Sequence, residues 1–159
     1  MTIKNGKIEV GTIVYKKVRL WNPMKPNADG KVQRYCGGYW EEFDPENSYH
    51  YEPVGHGIVK LVVLEEGVIP TKHRRGTKNN NRWEDGHRKC RIPRGYVAEI
   101  KVWNTYGDSK WTIATGKNFF RYSVGSVVNV PDYNNDPKIC CTRGIHVFLT
   151  AAEAEAYSI

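Results

Sequence analysis

VGTIVYKKVRL, residues 10–20, alternates along its whole length. Val10, Thr12, Val14, Lys16, Val18 and Leu20 fall on one face, and Ile13, Tyr15, Lys17 and Arg19 on the other. Successive side chains of a strand point to opposite sides of a sheet, so this period of two predicts a half-buried strand with a mostly apolar inner face. Working outward, GIVKLVVL (57–64) is nearly continuous in apolar character, which predicts a central strand. GYVAEIKVW (95–103) alternates again, with Tyr96, Ala98, Ile100 and Val102 assigned to one side. KWTIA (110–114) and FFRYSVGSVVNV (119–130) add short strands, with Gly125 as a turn or bulge between them.

GIHVFL (144–149) reads as a last strand, with Ile145, Val147 and Leu149 facing one way and His146 and Phe148 the other. Thr150 followed three residues later by Glu153 forms a capping box, which predicts a short helix over AAEAEAY. Six to eight strands against one short terminal helix give a β-rich α+β domain: a curved, mostly antiparallel sheet or half-barrel with a short C-terminal helix packed on it. At 159 residues the chain reads as a single domain over 1–159. Two regions stand apart from the strands. Residues 21–56 are rich in Pro, Gly, Asn and Asp yet carry Trp21, Tyr35, Tyr39, Trp40, Phe43, Tyr49 and Tyr51, with CGGYW as a hairpin turn. Such rings either form a lid over the core or line a pocket.

The other region holds the charge. Residues 72–94, KHRRGTKNNNRWEDGHRKCRIPR, carry nine Lys/Arg against two acids, while the other 15 basic and 15 acidic residues cancel. The net +7 of the chain is therefore local. A local cationic segment either stays solvated or meets an anionic partner such as phosphate, nucleotide or nucleic acid. No apolar run approaches the ~18 residues of a membrane span, and MTIKNGKIEVG has no signal-peptide core, so a cytoplasmic setting without membrane is expected. Cys36, Cys90, Cys140 and Cys141 include no C-x-x-C pair, and His50 and His56 beside Glu52 have poor ligand spacing, so no metal is expected. P-loop, G-x-G-x-x-G, G-x-S-x-G, H-E-x-x-H and zinc-deaminase signatures are all absent, and no cofactor is implied.

CCTRGIHVFLTAAEAEAY (140–157) resembles the C-terminal "C-x-x-GIHFF-x-T-x-x-x-A-x-x-Y" signature of an uncharacterised domain family of bacteria, phages and large DNA viruses, some of whose members are joined to pentapeptide repeats. Val14-Tyr15-Lys16, Ile58-Val59-Lys60-Leu61, Lys89-Cys90-Arg91 and Tyr122-Ser123-Val124-Gly125 match further pieces in order. Val147 departs from the signature's first Phe, and NNNRWEDGH (79–87) lies outside the pattern. The resemblance implies one fold and a phage or bacterial setting, and carries no chemistry.

Candidate ligand residues come from the two unusual regions. Arg74, Arg75, Arg88, Lys89 and Arg91 are the expected phosphate grip, since two cations on a shared face clamp an anion and Arg adds a bidentate fork. Alternation puts Lys89 and Arg91 on one face and packs Cys90 inward. Trp83, Trp40 and Tyr39 are the expected base-stacking rings. His146 and Tyr15 form a further polar candidate, with His146 alternatively a core histidine bonded to a backbone carbonyl. The expected role is non-catalytic binding of a small anionic, nucleotide-like ligand, in its sharpest form a phage anti-defence protein that sequesters a nucleotide immune signal. The alternatives are a nucleic-acid-binding module and a nucleotide- or NAD-using enzyme similar in layout to ADP-ribosyltransferases. A homo-oligomer would allow a site between subunits.

Overall fold

Eleven residues of β3 (Ile13–Pro23) organise a six-stranded antiparallel sheet in a computed structural model of the protein. The described residues are 3–4, 6–23, 32–36, 39–43, 51–70, 89–105, 110–116, 120–139 and 142–157, the backbone alone for 3–4, 32–36 and 39–43. The large sheet runs β11 (Arg121–Tyr122), β10 (Ile113–Thr115), β3, β6 (Tyr51–Val63), β9 (Arg94–Thr105), β12 (Val127–Asn129). A second antiparallel sheet runs β1 (Ile3–Lys4), β2 (Lys7–Ile8), β7 (Gly67–Val68), β8 (Cys90–Ile92), β13 (Ile145–Val147). Two more strands, β4 (Val32–Cys36) and β5 (Tyr39–Phe43), pair as a hairpin around the expected CGGYW turn. The helix α1 (Ala151–Ala156) closes the chain. The β-rich α+β class with a short C-terminal helix is as expected, built as two open sheets. Among the described residues no helix is long and apolar enough to cross a membrane.

The alternation of β3 places Val14, Val18 and Leu20 on the core side, all fully buried. They pack with Val59, Leu61, Val63 and Val97 of the same sheet and with Ile8, Ile92, Ile145 and Val147 of the other. Each such side chain contributes roughly 1.5–3 kcal/mol by leaving water. β6, the continuous apolar run, is central, between β3 and β9. On the opposite face of the large sheet a smaller cluster forms under α1, where Ile58, Phe148 and Ala154 pack with Tyr15 and Tyr157. A reciprocal pair of backbone bonds joins the two sheets: Tyr15 N–H donates to the Phe148 carbonyl at 2.8 Å, and Phe148 N–H to the Tyr15 carbonyl at 2.7 Å.

Two readings need correction. Residues 21–56 are less loop-rich than their composition suggests, since β3 runs on to Pro23, the hairpin occupies 32–43 and β6 starts at Tyr51. The phase assigned to 95–103 also breaks. Lys60 pairs with Glu99 but Leu61 with Val97, leaving Ala98 as an extra residue. Such a bulge flips the alternation, so Val97 is fully buried while Tyr96 is 39% exposed. Thr150 caps α1 as expected. Thr150 Oγ1 accepts from Glu153 N–H at 3.2 Å and donates to Glu153 Oε1 at 2.8 Å. The far end of α1 is held by Lys17, whose Nζ donates to the Glu155 and Tyr157 carbonyls at 3.0 Å each. A cation on the last carbonyls is the favourable pairing for a helix C-terminus.

A cationic cluster between the sheets as the candidate site

Lys16 and Lys17 are neighbours on β3 and therefore serve opposite faces of the sheet. Lys17 turns out to α1. Lys16 turns in among the core residues and donates from Nζ to the His146 carbonyl of β13 at 2.9 Å. Lys89, entering β8 directly from the basic segment, donates to Tyr157 Oη at 3.1 Å, with its ammonium 5.1 Å from the ring centroid. Burial, and then the Lys89 charge, pulls the Lys16 ammonium down to about 8. Among the described residues neither lysine has a carboxylate partner; the described ion pairs, Lys7–Glu66 and Arg143–Asp132, lie elsewhere.

His146 sits in the same cluster. Its Nε2 lies 2.7 Å from the Thr142 carbonyl. A carbonyl only accepts, so in the neutral ring Nε2 carries the proton and Nδ1 is left as an acceptor. Burial, and then Lys89, holds this imidazole down at about 4. At neutral pH His146 is uncharged, and the positive charge of the cluster comes from Lys16 and Lys89. The sign of the linkage follows. The unfolded chain takes up a proton near pH 6.5 and the folded chain only near 4, so stability falls as pH drops through that window. We expect wild type to lose about 3 kcal/mol between pH 7 and pH 4 that a His146→Gln variant keeps, read from urea melts across that range.

Arg91 does not join Lys89. It is fully buried, so an exposed two-cation face over 89–91 is not what β8 presents. Its Nε donates to the Asn134 carbonyl at 3.1 Å, Nη2 to that of Asp136 at 2.8 Å and Nη1 to that of Ile139 at 2.6 Å. The guanidinium thus staples the 130–139 loop to β8. Cys90 is buried as expected. Both follow from the position of β8 between β7 and β13, with the loop folded over Arg91. Tyr15 faces away from Lys16, into the cluster beneath α1. Arg74, Arg75, Arg88 and Trp83 lie outside the described residues, as do the side chains of Tyr39 and Trp40. No group of three His, Cys, Asp or Glu among the described residues is placed to hold a metal.

Three short stretches distant in sequence therefore meet here: Val14-Tyr15-Lys16, Lys89-Cys90-Arg91 and Gly144-Ile145-His146. Lys16 carried no assigned role in the sequence reading. The signal was present, as a lone cation on the apolar face of an amphipathic strand. Beside it, Gly116 leaves no side chain in the way. A Cβ at Gly116 would stand 3.0 Å from Lys16 Cε and 3.2 Å from the Tyr122 ring, so stem and ring approach around it. Tyr122 also lines a cleft of about 310 Å³ with Ile100, Trp111, Ala114, Arg121 and Val124. That is the low end of the size of small-molecule sites and is similarly apolar.

The model of a family described as a family of unknown function (DUF5758) matches residues 9–154. No curated protein and no solved structure matches the chain.

Proposed function

This chain belongs to the DUF5758 family, and from that premise we propose that it binds a small anionic, nucleotide-like ligand without turning it over. The observation that carries the reading is that Lys16 and Lys89 both bear on the buried His146, Lys16 through its bond to the His146 carbonyl and Lys89 through its charge, and that neither lysine has a carboxylate partner among the described residues. A lysine whose ammonium keeps donor capacity and whose charge is penalised by burial gains most from an anion. Each lysine has three donors, and among the described residues each makes one hydrogen bond from its ammonium. The phosphate belongs against these two ammonium groups, with the Tyr122–Trp111 cleft beside them for the ring of the ligand. In its sharper form the protein is a phage anti-defence factor that sequesters a nucleotide immune signal, a form that rests on the charge of residues 72–94, the rings of residues 21–56 and the lack of catalytic motifs in the sequence.

A thermal-shift panel of cyclic mono- and dinucleotides, NAD, ADP-ribose and inorganic phosphate, each mixture followed by mass spectrometry, tests this. The expected result is a rise in melting temperature with at least one nucleotide, recovered intact, since a ligand of the folded state stabilises by mass action. Recovery of an altered nucleotide would replace binding with catalysis. No shift with any anion would remove the reading.

A further inference from the structure

The outer face of the large sheet carries a second arrangement of charge and rings, independent of the anion cluster. Two cross-strand rows run over β3, β6 and β9. One is Lys17, Ile58 and Lys101, and the other is Arg19, His56 and Asn104. Neither row contains a carboxylate. Between them β9 bulges, because His56 pairs with Asn104 but Gly57 with Val102, and Trp103 is the extra residue. Bulges re-aim a side chain, and here the indole comes to the row surface, 43% exposed.

The ring is also held. Lys17 Nζ stands 4.2 Å from its centroid, and His56 meets it in an edge contact at 6.4 Å between centroids. Lys17 is fixed in turn by the C-terminal carbonyls of α1. His56 is fixed by Asn104 Oδ1, which accepts from its backbone N–H at 3.0 Å and lies 3.1 Å from Nδ1. Farther along the face the Arg19 guanidinium lies 5.8 Å from the Trp21 ring centroid, and Trp21 Nε1 donates to Thr115 Oγ1 at 2.7 Å. Burial, and after it the Lys17 and Arg19 charges, keeps the His56 imidazole below its ordinary range. An indole that is exposed yet immobilised has already lost the entropy that stacking would cost.

We propose that this face is a stacking platform for a single strand of nucleic acid, with a base on Trp103 and the backbone phosphates along Arg19 and Lys101. Every base has a π-face, so a fixed ring flanked by cations binds single strands with little sequence preference. A duplex keeps its bases stacked on one another and cannot offer one to Trp103.

The test is fluorescence anisotropy with labelled dT12, U12 and a 12-base-pair duplex, at low and moderate salt. Binding of a single strand, weakened about tenfold by Trp103→Ala and also by Lys101→Glu, is the expected result. The two strands separate DNA from RNA. Lys101→Glu changes an exposed residue and guards against a folding defect in the tryptophan variant, which circular dichroism melts also check. Absence of single-strand binding, equal binding of the duplex, or wild-type affinity in both platform variants would each overturn the proposal.

Discussion

Arg91→Ala should lose about 4 kcal/mol of folding stability, the largest single loss expected from a side chain in this protein. The guanidinium is fully buried and donates to the carbonyls of Asn134, Asp136 and Ile139. Truncation strips three acceptors of a charged donor and leaves a void the length of the side chain. Hydrogen bonds to charged groups are worth about 1.5–3 kcal/mol each, but they act together here and part of the loss is recovered as the loop opens to water. The loop rather than the sheets should give way, so amide exchange should rise in 130–139 before it rises in β3 or β6. Arg91→Lys should restore less than half. A lysine is a point charge and lacks the fork needed to reach three separated carbonyls. Urea melts of both variants check this, and an Arg91→Ala protein within 1 kcal/mol of wild type would refute the stapling role.

This residue also shows where the sequence stops being legible. Alternation in 89–91 is a statement about one strand, and it paired Arg91 with Lys89 on a solvent face. What decides the outcome is the 130–139 loop returning over β8, and no local pattern announces that return. The same limit broke the phase of β9. Nothing in GYVAEIKVW marks Ala98 or Trp103 as bulge residues, because a bulge is a property of the pair with β6. Elements governed by their own side chains were legible: the amphipathic β3, the central β6, the β4–β5 pair and the Thr150 cap. For the site, Lys89 and His146 were visible as types in a strand context. Lys16 was visible as an anomaly, a cation in a row of Val14, Val18 and Leu20, yet its meaning required knowing that Lys89 and His146 arrive opposite it.

Lys16→Met should separate stability from function, raising the first and removing the second. The ammonium is held down at about 8, against 10.5 for an ordinary lysine, chiefly by burial. At pH 7 the folded and unfolded chains both carry the proton, so the full cost of keeping that charge inside is present. Between about pH 8 and 10.5 the unfolded chain holds the proton and the folded chain does not, so wild-type stability rises with pH. Methionine fills a similar volume without the charge. Losing the bond to the His146 carbonyl offsets about 1 kcal/mol, leaving a net gain of about 2 kcal/mol at pH 7. That gain should shrink as pH rises and vanish by pH 10.5, when wild type has shed the proton too. Nucleotide affinity should move the other way. It should fall at least tenfold in the variant, as expected for loss of a charged hydrogen bond, and in wild type it should decline as pH passes 8. Melts across that pH range and titration calorimetry with the best nucleotide from the panel read both. A lysine kept for architecture would give a less stable methionine variant that still binds. A lysine kept for an anion costs stability until the anion arrives, and only that arrangement lets one substitution strengthen the fold and abolish the ligand.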